Sequence, residues 1–325
     1  MRLRAARVYP PGMSMPRWWP VLGLVVWIAL LALVHGRGAL DEYALAQLLM
    51  TFGPLVTVPL GLSLTPASPD APDARRLRWL FPPLALGALG LAAVIAVDPA
   101  PALRVGLTAP YLLFAAAAAL HGLLRLVQRR SLALPELAVD AALGSLGVAG
   151  VWLLVANADL VLDGFGGLWA MLTAAHFHFA GFGALLYVGL LGRARATVAR
   201  SSRFSWPYTP LACGLLVALP VLALGISSSR VIERVGVGMY VVLLPWLAAL
   251  TAHASLRSRG PLAARGRLLL SAACVLLSTT YAGLYGYRGH VPWDISISTM
   301  LYVHASVNAL GFIGLGLWGW RDMQR

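Results

Sequence analysis

Four of the seven histidines in this sequence lie in the middle of long apolar stretches, where a polar side chain is costly. The four are His121, His176, His178 and His304. The ends of apolar stretches and the loops hold His35, His253 and His290. Imidazole exchanges protons near neutral pH and binds transition metals, so the four central histidines are the first candidates for proton transfer or ligand binding.

His176 and His304 are predicted to lie at similar depths in two different helices. If those helices start near residues 164 and 294, a rise of 1.5 Å per residue puts the two histidines about 18 and 15 Å along them. Asn308 follows His304 by four residues and Met300 precedes it by four, so the three share one helix face. Thr173 lies one turn before His176 and is expected to hydrogen-bond its ring.

Tyrosines of the preceding apolar stretch reach similar levels, and Gln47 completes the set of polar residues in the spans. The tyrosines, together with His176, His304, Asn308, Met300 and Thr173, outline a polar pocket that opens toward the midplane or the outer side. We predict four catalytic residues there, His176, His178, His304 and Asn308. The predicted substrate-binding residues are Thr173, Tyr281, Tyr285 and Met300.

The spacing of His176 and His178 leaves two alternatives open. Residues two apart on a regular helix point about 200° apart, so the two rings cannot bind one metal ion. Either a local break in the helix brings the rings together, or each ring serves a different face, one functional and one in packing.

A second polar cluster is predicted closer to the cytoplasmic side. It consists of His121, Glu136 and Asp140, with Asp140 one turn after Glu136. A buried carboxylate needs a partner, and we expect His121 to pair with Asp140 while Arg125 reaches Glu136. The cluster is either a structural tie between two helices or a proton-conducting or catalytic group.

These residues belong to an integral membrane protein. Of the 325 residues 59% are hydrophobic and only 11% are charged, and the mean hydropathy is +0.78, which excludes a water-soluble globule. A bilayer core needs about 20 apolar residues per helix. The chain offers ten such stretches, which predict an all-α, polytopic transmembrane helical bundle. Their bounds are 18–35, 44–64, 79–97, 103–128, 134–156, 164–190, 208–226, 233–252, 267–288 and 294–320.

The arginines predict the orientation of this bundle. All 25 basic residues are arginine, and with both termini in the cytoplasm 20 of them fall inside and five outside. The five outside are Arg37, Arg104, Arg230, Arg234 and Arg288. We predict a basic cytoplasmic N-terminus at 1–17, a ten-helix domain at 18–320 and a cytoplasmic tail at 321–325, in a bacterial inner membrane. The net charge of +13 is therefore an orientation signal and predicts no nucleic-acid partner.

The remaining features of the sequence are structural. The first apolar run is too long for a cleaved signal peptide, and Met13 and Met15 are alternative start sites. Cys213 and Cys274 lie in apolar runs and predict neither a disulfide framework nor a zinc site. The sequence has no Walker loop, no H-E-x-x-H and no G-x-S-x-G elbow.

The stretch from Leu172 to Phe182, LTAAHFHFAGF, resembles the YndJ-like family of bacterial membrane proteins. Two further segments support the resemblance, one from Pro54 to Leu62 and one from Met300 to Phe312. One departure is Ala305, because the family is associated with glycine after the late histidine. The resemblance supports the choice of His176, His178, His304 and Asn308, and it implies no particular reaction.

Three functions fit this pattern. The first is a membrane-embedded enzyme that uses acid and base histidines to isomerise or cyclise an apolar, lipid-like substrate such as an isoprenoid, a quinone or an acyl lipid; it requires no cofactor. The second is a haem or transition-metal site with His176, His178 and His304 as candidate ligands. The third is a transporter or accessory protein. Membrane lipids and an apolar small molecule are the expected partners, and the oligomeric state is left open.

Overall fold

In a computed structural model, the protein is a bundle of helices. The structure describes residues 16, 18–66, 72–198 and 207–324. Within these residues there are eleven helices and one small hairpin. The helices are α1 (Trp19–Gly36), α2 (Glu42–Leu64), α3 (Pro72–Trp79), α4 (Phe81–Val97), α5 (Pro101–Arg129), α6 (Leu134–Asn157), α7 (Gly167–Arg195, helical on to Val198), α8 (Tyr208–Ser228), α9 (Arg230–Arg257), α10 (Leu262–Gly286) and α11 (Ile297–Met323).

The predicted all-α, polytopic fold is confirmed. Nine of the described helices are long and apolar enough to cross a membrane, and α3 with α4 forms a bent pair that supplies a tenth candidate. Helices satisfy every backbone group within the segment, which a lipid environment demands. The bundle therefore agrees with the ten spans expected from hydropathy.

A β-hairpin precedes α7. Strands β1 (Val161–Leu162) and β2 (Phe165–Gly166) pair antiparallel, and the turn residues Asp163 and Gly164 have φ of 53° and 79°. Two successive left-handed residues are typical of a tight hairpin turn. The hairpin fixes the direction in which α7 begins.

Several predicted features lie outside the described residues. They are the basic segment 1–17 except Pro16, the start sites Met13 and Met15, and the arginines Arg200 and Arg203. The cytoplasmic location of both termini stays a prediction from the arginine distribution.

Helix α2 lies at the centre of the bundle. In its most apolar 18-residue window, 94% of the residues are buried, compared with 33% for α1, α8 and α10. It packs against α1, α4, α7 and α11. A helix that is apolar and buried on all sides has no face left for lipid, so any accessible surface on it faces the protein interior.

Three of the described helices contain π-helical segments, and these segments meet. They are Gly53–Thr57 in α2, Phe177–Gly183 in α7, and the consecutive Met300–Ala305 and Val307–Leu315 in α11. Gly53–Thr57, Phe177–Gly183 and Val307–Leu315 contact one another in the core. Single π-helical turns are rare and occur frequently at functional sites. Among the described helices, those that carry Gln47, His176 and His304 are thus also those with π-helical segments.

Glycine permits close contact between α4 and α5. A Cβ atom on Gly90 would overlap the carbonyl oxygen of Leu107, whereas a Cβ atom on Gly106 would meet nothing within 4 Å. We expect Gly90→Ala to lower the free energy of unfolding by about 1–3 kcal/mol through overpacking. Gly106→Ala, on an exposed helix face, is expected to leave it unchanged or raise it by about 0.5–1 kcal/mol. Equal changes in the free energy of unfolding for Gly90→Ala and Gly106→Ala, measured in detergent, would contradict the close contact between α4 and α5.

Candidate functional site

The two halves of α7 pack against different parts of the bundle. Residues Gly167–His176 pack against α2, α6 and β2, while the second half also contacts α8, α9 and α11. Within the described chain, the first half makes no comparable contact with α8 to α11. From this difference, and from the accessibility of His176 described below, we infer that a gap separates the first half of α7 from the later helices. We call this gap the central crevice.

One face of α7 lines the central crevice. The accessible residues on this face follow helical spacing and are Trp169, Leu172, Thr173, His176, Phe177 and Ala180; Gly167, Leu168 and Ala175 are also partly or fully accessible. From Gly181 to Gly192 every residue of α7 is buried. The accessible face thus ends just after the histidines, which places them at the closed end of the crevice.

His176 is exposed although it lies deep within the protein. An exposed side chain surrounded by protein atoms must face an internal gap, so His176 lines the central crevice. Its Nδ1 lies 2.8 Å from the carbonyl oxygen of Leu172. A carbonyl oxygen only accepts hydrogen bonds, so Nδ1 carries the proton and the neutral ring keeps its lone pair on Nε2.

His304 is held in the same way by α10. Its Nδ1 lies 2.9 Å from the carbonyl oxygen of Ser278 and 3.0 Å from the hydroxyl of the same residue. The carbonyl again fixes the proton on Nδ1 and leaves the lone pair on Nε2. His304 lies close enough to His176 for the two rings to interact electrostatically. Neither Nε2 atom makes a hydrogen bond to a described residue.

Gln47 is a third polar side chain at this place, and sequence reasoning did not include it in the predicted site. Between Leu45 and Leu62 it is the one residue of α2 that is not buried. The part of α2 that contains Gln47 contacts both the first half of α7 and the π-helical turn that holds His304. Because the residues of α2 around it are buried, we infer that the partly accessible side chain of Gln47 faces the central crevice.

His178 lies apart from this pair. It is fully buried, its Nδ1 donates to the carbonyl oxygen of Ala174 at 2.8 Å, and its Nε2 accepts a hydrogen bond from the hydroxyl of Tyr111 on α5. The Cδ2 atom of its ring would lie 3.1 Å from a Cβ atom on Gly53. The two alternatives for the histidine pair were a local break in the helix that brings the rings together, and rings that serve different faces. The helix does have a local π-helical turn here, but the rings of His176 and His178 still serve different faces. His178 has both nitrogens satisfied, which fits a packing role.

The hydrogen bond between Tyr111 and His178 is expected to stabilise the fold. Tyr111→Phe would leave a buried imidazole nitrogen without a partner, and we expect the free energy of unfolding to fall by about 1–3 kcal/mol. Tyr281→Phe is the matched control, since the Tyr281 hydroxyl makes no hydrogen bond to a described residue. A loss in Tyr111→Phe no larger than in Tyr281→Phe would contradict the role given to this pair.

The other predicted site residues are only partly brought together. Asn308 and Met300 are partly buried on α11, on either side of His304 along the chain. Thr173 donates to the carbonyl of Trp169 at 2.8 Å, so the expected bond to His176 is wrong. Tyr281 lies one turn beyond Ser278, whereas Tyr285 lies near the end of α10, where the guanidinium of Arg288 covers its ring at 4.2 Å.

The second cluster forms, but with different pairing from that expected. Arg125 bridges Glu136 at 2.8 Å and Asp140 at 2.9 Å, and Arg129 reaches the other oxygen of Asp140 at 2.7 Å. The expected bond between His121 and Asp140 is wrong, because two guanidinium groups occupy the carboxylate and the Nε2 of His121 has no partner among the described residues. The expected contact of Arg125 with Glu136 is present.

A third arginine extends this cluster to α2. Arg193 binds both oxygens of Glu136 at 2.6 Å and donates to the carbonyl oxygens of Leu64 and Thr65 at the end of α2. Asp73 also pairs with Arg125. Buried ion pairs whose arginines also donate to the free carbonyl oxygens at a helix end are typical of a structural connection between helices.

No three His, Cys, Asp or Glu side chains of the described residues are grouped so that they could hold a metal ion. A metal bound by His176, His178 and His304 together therefore does not fit the described arrangement, because His178 faces away. Two imidazoles in one crevice can still bind a haem iron or a metal ion with fewer protein ligands.

Comparison with known proteins places this architecture in a family. The family model described as "YndJ-like protein" matches residues 48–312, which include His176, His178 and His304. The chain belongs to the YndJ-like family. A relative in Bacillus subtilis (strain 168), the "Uncharacterized membrane protein YndJ", is 29% identical over 209 residues, which are 62% of this chain and 36% of that protein. This chain thus matches little more than a third of its relative. No solved structure matches it.

Proposed function

We propose that this YndJ-like membrane protein is a membrane-embedded enzyme that uses His176 and His304 as acid and base on an apolar, lipid-like substrate. Isomerisation or cyclisation of an isoprenoid, quinone or acyl lipid is the reaction type that fits best. The observation that carries the proposal is that two neutral imidazoles present their Nε2 lone pairs to one crevice. Such a reaction needs no cofactor.

The chemistry of the proposal is a proton relocation. The cycle needs one proton more than the two neutral rings hold, and one Nε2 takes it up from solvent. The neutral Nε2 then accepts a proton from a substrate carbon, while the protonated imidazole donates its Nε2 proton to a second carbon. The substrate is isomerised, and the proton has passed from one ring to the other. A proton returned between the rings, directly or through water, regenerates the starting state. Each Nδ1 keeps its proton and donates it in a hydrogen bond to a backbone carbonyl, which keeps the ring oriented.

His178 would support this chemistry without taking part in it. Both of its nitrogens are already bonded, and it fixes the π-helical turn that follows His176. Asn308 and Gln47 would bind a substrate oxygen, since carboxamides donate and accept hydrogen bonds.

The test is a conversion assay on purified protein. Lipid extract from the source membrane is incubated with the protein in detergent and compared by mass spectrometry and chromatography with extract incubated with heat-denatured protein. We expect a lipid to change its retention without a change in mass, as an isomerisation requires. The same extract with His176→Asn should show no conversion. A conversion that continues unchanged in the folded variant would refute the proposed role.

A bound metal or haem is the second candidate, and one observation favours it. Histidines that bind metals usually donate their other ring N–H to a backbone carbonyl or carboxylate, as His176 and His304 do. An absorption spectrum and elemental analysis of the purified protein test this candidate. A Soret band or stoichiometric metal that disappears in His304→Asn would favour it over acid and base chemistry.

The arginine distribution supports a bacterial inner-membrane location with both termini in the cytoplasm. In that orientation α7 and α11 begin on the outer side, and the central crevice opens toward it. The proposed partners are then membrane lipids and an apolar small molecule, with no nucleic acid.

A further inference from the structure

We infer that the central crevice binds an amphipathic molecule whose uncharged head presents hydroxyl groups, such as a diol or a quinol with an apolar chain. The inference rests on the site of the proposed function and names the ligand class, without assuming a reaction. It follows from which hydrogen-bonding groups the crevice offers and which charges it lacks.

The two imidazoles offer acceptors to a ligand. Their Nδ1 atoms donate hydrogen bonds to the carbonyl oxygens of Leu172 and Ser278. Only the Nε2 lone pairs of His176 and His304 therefore remain for a ligand. Two acceptors are satisfied only by a ligand that donates, which an O–H group does and an ether or ester oxygen does not. Leaving them unmatched in a desolvated site weakens binding.

Gln47 completes this set from the opposite helix. Its carboxamide has two donors and an acceptor, and it makes no hydrogen bond to a described residue. A hydroxyl oxygen that donates its proton to an imidazole has lone pairs left to accept from Gln47. A dihydroxy head can therefore satisfy all three side chains at once.

The walls of the crevice exclude a charged head. The helix stretches that surround its closed end are 43–64, 167–192, 268–287 and 295–320, and none contains Arg, Lys, Asp or Glu. The charged Glu42 lies at the start of α2, where it accepts a hydrogen bond from Ser298. A carboxylate or phosphate would lose its hydration at the closed end without gaining a cation, which is costly in an apolar environment. The same absence disfavours a cationic head.

The apolar chain of such a ligand has a place along α7. Trp169, Leu172 and Phe177 are accessible on the same face as His176. From Gly167 to His176 the helix rises about 13 Å, which matches the length of a chain of about ten carbons in extended form. The head would lie at the closed end and the chain would run toward the start of α7.

The test compares three ligands on the unmodified full chain in detergent. They share a heptyl-length chain: 5-heptylresorcinol, its dimethyl ether, and octanoate. Binding is followed by quenching of tryptophan fluorescence and by calorimetry. We expect the diol to bind at least tenfold more tightly than the ether and the carboxylate, since each lost hydrogen bond of this kind lowers affinity by about tenfold. Equal binding of the ether, or tighter binding of octanoate, would overturn the inference.

Variants identify the site of binding. His304→Asn keeps a donor for the carbonyl of Ser278 but has no atom at the Nε2 position. Gln47→Leu removes the carboxamide. Each variant should bind the diol about tenfold more weakly and bind the ether with unchanged affinity. The control His290→Ala lies in an exposed turn and should bind all three ligands like the unmodified chain. Unaltered diol binding in folded His304→Asn would also overturn the inference.

The outcome is separable from that of the proposed function. If the ether binds as well as the diol but a lipid is converted in a His176-dependent way, the proposed enzyme activity is supported and the inferred class of ligand is wrong. If the diol binds selectively and no lipid is converted, the inferred class of ligand is supported and the proposed enzyme activity is wrong.

Discussion

His304→Asn is expected to lower turnover of the lipid-like substrate by about 10²–10⁴-fold, the typical contribution of a positioned general acid or base. An asparagine amide nitrogen reaches the position of Nδ1 and can still donate to the carbonyl of Ser278, which lies 2.9 Å from Nδ1 in the unmodified chain. It provides nothing at the position of Nε2. The variant therefore separates the structural hydrogen bond of His304 from its proposed chemistry.

The measurement is the conversion rate per folded protein, with folding verified by circular dichroism and by thermal unfolding in detergent. His290→Asn, an exposed histidine outside the crevice, serves as the matched control and should turn over at the unmodified rate. If His304→Asn also keeps the full rate, the lone pair on its Nε2 has no catalytic part and His304 is only a helix contact.

Asp140→Asn is expected to lower the free energy of unfolding by about 3–5 kcal/mol, because it leaves buried guanidinium charge without its carboxylate. The side chain of Asp140 is 3% exposed and binds Arg125 at 2.9 Å and Arg129 at 2.7 Å. Arg125 keeps Glu136 and Asp73 as partners. The guanidinium of Arg129 is therefore the one that loses its carboxylate partner. Thermal or denaturant unfolding in a fixed detergent measures the loss.

Asp159→Asn is the matched control for this substitution. Asp159 also binds an arginine, Arg104, at 2.7 Å, but its side chain is 53% exposed. Exposed ion pairs contribute at most about 1 kcal/mol because water and salt screen them. If Asp140→Asn costs no more than Asp159→Asn, the cluster is hydrated and is not the buried structural tie described above.

The sequence predicted the fold well because a membrane imposes one strong rule on it. Each crossing must be a long apolar helix, so hydropathy alone located nearly every span. The exception was the region of α3 and α4, where a bend at Leu80 divides the stretch into a bent pair. Depth along the helices also brought His176 and His304 to one level, which their electrostatic contact in the structure agrees with.

Side-chain partners were harder to predict, because they depend on how helices rotate about their axes. Hydropathy could not show that the ring of His178 faces Tyr111, or that α2 is buried on all sides and leaves Gln47 accessible. A glutamine in the second turn of an apolar helix, whose one charged residue is Glu42, was the one available signal for Gln47. The pairing of Asp140 with Arg125 and Arg129 followed from the same cause, since arginine side chains reach farther than the ring of His121.

Carbethoxylation of histidines tests the central claim most directly, because diethyl pyrocarbonate modifies accessible imidazole nitrogens. Mass spectrometry of the unmodified chain in detergent should show rapid modification of His176 and His304, comparable to the exposed His290, while buried His178 stays unmodified. Bound 5-heptylresorcinol should protect His176 and His304 together and leave His290 reactive. Modification of His178 at the rate of the other two, or protection of one of the pair without the other, would contradict a shared crevice.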